Sequence, residues 1–134
     1  MTAFNLKIVT PDGLIFDGQA EEIVVRTTSG DMGILAGHIN CVAPLGMGRA
    51  TIVQQGQKRY AACIGGIVSV VNGDVSLVAT TFEWAEDIDA QRADVSYQKA
   101  QRILQDKSAS DTDMKLAEAR LKRALVRKSV ATEK

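Results

Sequence analysis

The last 61 of the 134 residues contain neither glycine nor proline: all eleven glycines lie at or before Gly73, and the two prolines are Pro11 and Pro44. Both residue types punctuate turns and break helices, so a turn-rich fold is excluded from the back of the chain. Aromatics are scarce. The six are Phe4, Phe16, Tyr60, Phe82, Trp84 and Tyr97, which leaves any core to Val, Ile, Leu and Ala. No run approaches 18 apolar residues, the length a membrane-spanning helix needs. Sixteen basic side chains balance sixteen acidic ones, which excludes a general nucleic-acid binder relying on excess Lys and Arg. The start, Met1-Thr2-Ala3-Phe4-Asn5-Leu6-Lys7, lacks a basic stretch followed by an apolar core, so no secretory signal is expected. The cytosol is the expected location, with membrane association only through a partner and no direct insertion. Cys41 and Cys63 would pair in an oxidising compartment; without a signal they read as free thiols.

Residues 4 to 80 show short apolar runs between turn signals. Leu6, Ile8 and Thr10 alternate before Pro11-Asp12-Gly13, and Ile23-Val24-Val25 precedes Thr28-Ser29-Gly30. Ile34-Leu35, Cys41-Val42-Ala43 and Ala50-Thr51-Ile52-Val53 follow, then a hairpin signal at Gln55-Gly56-Gln57 before Lys58 to Cys63. Gly65-Gly66 opens another run, Ile67 to Val71, and Asn72-Gly73 is the sequence that a two-residue type I′ turn requires. Gly46-Met47-Gly48 reads as a turn. The spacing predicts an antiparallel β-sandwich of about 8–10 strands.

After residue 86 the period changes. Ala90, Ala93, Tyr97, Ala100 and Leu104 lie on one helix face, and Met114, Ala117, Leu121 and Ala124 repeat the spacing. Asp87 and Asp89 are both candidate N-caps, and Ser110 with Asp113 resembles a capping box. The prediction is a sandwich over residues 1–86 and an antiparallel two-helix hairpin over 87–134. Five of the nine seam positions are alanine, so the hairpin is expected to be held weakly and to open. The front carries net −3 and the back net +3 (5 basic and 8 acidic against 11 and 8). Lys115, Arg120, Lys122, Arg123, Arg127 and Lys128 form a basic face, either solvated or a contact surface.

Chemistry is thinly represented. There is no phosphate-binding G-x-x-x-x-G-K loop and no nucleophile motif around a serine. His38 with Cys41 makes half a metal site without a second pair. Glu83, Glu86, Asp87 and Asp89 read as a strand-to-helix junction. No catalytic residue, metal ligand or required cofactor is expected, and the chain does not read as an enzyme.

Four segments together resemble the epsilon subunit of bacterial F-type ATP synthase: Val9 to Gly13, Ser29 to His38, Gly65 to Val70, and Ala85 to Ala93. The likeness departs where Ala36 replaces a usual proline and at Asn40-Cys41. The resemblance implies a non-catalytic central-stalk subunit, peripheral on the cytoplasmic face of the cell membrane, that couples proton or sodium flow to ATP synthesis. It implies docking on the gamma subunit and on the polar loops of the c-ring. Asp31 matches the acidic position facing those loops and His38 a histidine near the gamma contact. The helix pair would be regulatory: folded, it permits hydrolysis; extended into the alpha/beta catalytic head, its basic face inhibits it. Some members bind ATP as a regulatory ligand. By that resemblance the site here comprises Glu83, the motif residues Ile88, Asp89, Arg92 and Ala93, then Lys99 in place of an arginine, Arg123 and Arg127, without a required metal. Leu116 stands where another arginine is common. The alternative is a stand-alone small-molecule-binding β-sandwich with a helical dimerisation tail.

Overall fold

The computed structural model describes residues 2–133. The chain divides into two compact units, one running to Trp84 and one starting at Ala85.

Among the described residues the first unit contains eight strands: β1 (Phe4–Thr10), β2 (Gly13–Ala20), β3 (Glu22–Thr27), β4 (Gly30–Leu35), β5 (Cys41–Pro44), β6 (Met47–Gln54), β7 (Gln57–Val71) and β8 (Asp74–Trp84). They form one hydrogen-bonded sheet in the order β2-β1-β8-β7-β6-β3-β4, with β5 beside β7, folded over as a sandwich. Leu6, Ile8, Ile23, Ile52, Val68 and Leu77 are fully buried in its aliphatic core. The aromatics gather at one place, where Phe16 and Phe82 meet Trp84 edge-on with centroids 6.3 and 5.0 Å away.

Several local expectations hold. Asn72-Gly73 turns with positive φ at both residues (52° and 86°) and pairs Val71 with Asp74. Gln55-Gly56 does the same between β6 and β7. Four details differ. β1 pairs β8 in parallel, so the sandwich is not wholly antiparallel; the partners lie at opposite ends of the sandwich sequence, where no local signal records pairing. β2 carries no continuous buried pattern and was not legible as a strand. The two runs either side of Gly65-Gly66 are one strand, β7. It passes from β6 to β5 at those glycines, whose φ values of 70° and 110° let it bend without ending. Gly48 is not in a turn: it lies within β6.

In the second unit a single 3-10 turn, Ala85–Asp87, precedes α1 (Ala90–Gln105) and α2 (Asp111–Ala131). Asp89 caps α1, its Oδ1 accepting the Arg92 N–H at 3.0 Å, so Asp87 is not the cap. Ser110 caps α2 by accepting the Asp113 N–H at 3.1 Å. Asp106 turns the chain between them, accepting from the Ser108 N–H and hydroxyl at 2.9 and 2.7 Å. Those bonds hold its carboxyl below the usual range. The seam is the expected one of alanines, with Ala93, Ala100, Ala117 and Ala124 buried. Ala90 is exposed: it opens the first turn of α1, before the hairpin face begins.

Candidate functional site

Among the described residues no group of three or more His, Cys, Asp or Glu side chains is placed to hold a metal. His38 lies in the loop between β4 and β5, with Nδ1 2.8 Å from the Ile39 carbonyl oxygen. A carbonyl only accepts, so Nδ1 carries the proton, and the same N–H faces Cys41 Sγ at 3.8 Å. That pairing orients the ring and activates nothing. Cys41 and Cys63 are free. Burial pushes the Cys63 thiol up to about 12, which keeps it protonated and inert.

Asp31 sits at the start of β4, opposite Arg26 on β3. The Arg26 Nε–H donates to Asp31 Oδ1 at 2.7 Å. The sandwich also presents an apolar row. Leu14 pairs Val9, Val9 pairs Val78, Val78 pairs Ile67 and Ile67 pairs Pro44. Direct partners share a face of a sheet, so five strands present one transverse stripe. Leu14, Val78 and Ile67 on it are at least half exposed. The sequence carries a signal for this. Val9, Ile67 and Val78 stand on the parity opposite to the buried Ile8, Val68 and Leu77, where an alternating strand would place polar residues.

The helical candidates fall into distinct roles. Ile88 and Ala93 are buried and act in packing. Asp89 spends one carboxylate oxygen on its cap. Arg92 and Lys99, seven residues apart, lie on one side of α1 and are exposed. On α2, Lys115, Arg120, Lys122 and Arg123 are exposed and Arg127 is half-buried. Lys128 departs from the basic face. Its Nζ pairs with Asp94 Oδ1 at 2.8 Å and stands 4.3 Å from the Tyr97 ring centre. Both partners are on α1, so Lys128 closes the hairpin. Sequence reasoning missed this because Asp94 lies 34 residues away. Glu83 belongs to β8 of the sandwich.

Two family models cover the chain. The ATP synthase delta/epsilon chain β-sandwich domain matches residues 3–85, and the long α-helix domain of the same chain matches residues 86–132. This chain belongs to the ATP synthase delta/epsilon chain family. It is similar to the ATP synthase epsilon chain of Bacillus velezensis, 42% identical over 131 residues and 98% of each chain. It is 41% identical to that of Bacillus cytotoxicus over the whole of both. In fold it matches a chain of the Euglena gracilis mitochondrial ATP synthase OSCP/F1/c-ring assembly. That match has a TM-score of 0.85 at 23% identity and covers 96% of this chain and 81% of the other. Asp31, His38, Glu83 and the apolar stripe fall in the family's sandwich domain. The capped motif at Asp89, the arginines of α2 and the Lys128 clasp fall in its helical domain. The named relatives are ATP synthase epsilon chains.

Proposed function

We propose that this chain is a non-catalytic central-stalk subunit of an F-type ATP synthase. It couples ion flow through the c-ring to ATP synthesis and works at the cytoplasmic face of the bacterial membrane as a peripheral subunit. The observation that carries this reading is the transverse stripe Leu14–Val9–Val78–Ile67–Pro44. An exposed in-register apolar row fits a surface made to be covered. The occupant is the gamma subunit. Asp31, on the β3–β4 hairpin, meets the polar loops of the c-ring.

The helical unit is the regulatory element. Its seam of alanines buries little apolar surface per residue, since a fully buried Leu contributes about 1.5–3 kcal/mol and an alanine much less. The hairpin therefore opens at modest cost and delivers the exposed cations of α2 to the alpha/beta head, where they inhibit hydrolysis. ATP acts as the ligand of the helical unit through Asp89, Arg92, Arg123 and Arg127, with Lys99 contributing. At 100 times its dissociation constant a ligand stabilises the state it binds by about 2.7 kcal/mol, enough to bias such a balance.

The test is reconstitution with the stalk. Ile67→Asp with Val78→Asp should lose co-purification with gamma while the free chain keeps its melting temperature. Retained co-purification would overturn the docking surface. Calorimetry of the isolated chain with millimolar ATP tests the ligand. Heat that vanishes in Arg123→Ala supports it, and no heat in the native chain removes ATP sensing without touching the stalk role.

A further inference from the structure

Arg26 occupies a bed built for it. β3 and β4 place it directly across from Asp31. The turn between them is fixed by Thr27, the one buried polar side chain among the described residues. Its hydroxyl donates to the Gly30 carbonyl at 2.7 Å and accepts the Ser29 N–H at 3.1 Å. Beneath Arg26 runs Gly46-Met47-Gly48. A Cβ added to Gly48 would stand 2.5 Å from Arg26 Cβ and 3.0 Å from its Cγ, and one on Gly46 would lie 3.6 Å from that Cγ. The distance from Gly46 is ordinary contact, so it is the missing side chain of Gly48 that lets the arginine stem lie on β6, which aims the guanidinium at Asp31. The resulting bond uses one guanidinium N–H and one carboxylate oxygen, and both side chains remain more than half exposed.

An exposed carboxylate alone would draw any basic loop by long-range attraction, strongly at low salt and weakly at high salt. A carboxylate already neutralised by a seated arginine behaves differently. The second oxygen of Asp31 accepts a hydrogen bond, and the terminal nitrogens of Arg26 donate. The pair presents an acceptor and a fork of donors side by side with no net charge. Complementarity of this kind sets specificity and register more than attraction.

We propose that Arg26, seated on Gly48, is a specificity-determining residue of the β3–β4 tip. With Asp31 it reads a polar loop that offers one basic side chain and an adjacent backbone carbonyl. The proposal rests on the reading above, in which this tip meets the polar loops of the c-ring. It makes that contact a two-point recognition with weak salt dependence.

The experiment is rebinding of the full chain to membrane-bound ATP synthase depleted of it. The soluble head and gamma without the ring serve as reference, so that the ratio of affinities isolates the ring contact. For the native chain the ratio should change less than about twofold between 50 and 300 mM salt, because the tip carries no net charge. Arg26→Leu leaves a bare carboxylate; its ratio should fall at least about fivefold over the same range. Gly48→Ala, which displaces Arg26, should follow it. The same ratio and the same salt response in Arg26→Leu as in the native chain would overturn the proposal. If Asp31→Asn lowers the ratio while Arg26→Leu does not, the ring contact stands and the role of Arg26 falls. If Asp31→Arg also leaves the ratio unchanged, the tip does not meet the ring and both readings fall.

Discussion

Lys128 reaches across the helical hairpin to Asp94, Nζ to Oδ1 at 2.8 Å, while its ammonium stands 4.3 Å from the Tyr97 ring centre. One cation thus makes an ion pair and a cation–π contact with two residues one turn apart on α1. Removing it takes away both. Lys128→Met should raise hydrogen exchange in both helices roughly threefold, an effect of the size exposed pairs have, and Asp94→Asn should do part of the same. The hydrogen bond from Lys128 and then its charge hold the Asp94 carboxyl below its ordinary value. A depressed carboxylate contributes stability that is complete above its unfolded pKa, about 3.9, and is lost as pH falls through the lower folded value. The native hairpin should therefore loosen only below about pH 4, and Asp94→Asn should lack that step. Identical acid melts of the two, followed by circular dichroism, would contradict the clasp.

A side chain at Gly66 would run into backbone rather than into another side chain. Its φ is 110°, and a Cβ there would run into the Val78 carbonyl oxygen and the Ala79 backbone of β8. Neither can move without breaking the β7–β8 ladder. Gly66→Ala should cost more than about 4 kcal/mol, the range reserved for severe backbone conflict, and leave the sandwich unfolded or expressed only in aggregates. Gly56, with φ 77° and open space around it, is the control. Gly56→Ala meets only the left-handed penalty of about 1–2 kcal/mol. Chemical denaturation of the two variants measures the difference.

What could be read from the sequence was local. Asn72-Gly73 announced its turn, Ser110 and Asp113 announced a helix start, and the three-four spacing through Ala93, Tyr97 and Ala100 and through Ala117, Leu121 and Ala124 announced the buried face of a hairpin. The resemblance at Gly30 to His38 and at Ile88 to Ala93 pointed to the family. What stayed hidden was relational. The parallel pairing of β1 with β8 and the Lys128–Asp94 clasp join residues that no spacing rule connects. The seat of Arg26 on Gly48 needed the register of β6 against β3, and Gly46-Met47-Gly48 looked like a turn because glycine in a strand and glycine in a loop are the same letter. The apolar stripe was half visible, since Val9, Ile67 and Val78 break the alternation; only the strand order aligns them.

The two cysteines should separate cleanly by reactivity. Cys63 is buried and its thiol is pushed up to about 12, while Cys41 is half-buried on a short strand near the surface. A thiolate-specific reagent at pH 8 should label one site per native chain, and that label should vanish in Cys41→Ser. Denaturant should restore the second site. Rapid labelling of Cys63 in the native chain would mean that the sandwich core opens far more readily than its aliphatic packing implies.

The alanine seam sets how closely α1 and α2 approach, and a larger side chain there has nowhere to go. Ala117 and Ala124 are almost fully buried, whereas Leu125 beside them is half exposed. Ala117→Leu forces the helices apart, and overpacking of this kind costs about 1–3 kcal/mol. For a hairpin held by alanine contacts, two caps and one clasp, that is a large share of its stability. Leu125→Ala should change stability by less than about 0.5 kcal/mol, as surface substitutions do. Hydrogen exchange should therefore accelerate in α1 and α2 of Ala117→Leu while β1 to β8, a compact unit of their own, keep their protection. In the assembled synthase, on the regulatory reading, Ala117→Leu should lower ATP hydrolysis by favouring extended helices. Slower exchange in the helices of Ala117→Leu would show that the seam has room to spare, and the hairpin would then be a tighter element than its alanines suggest.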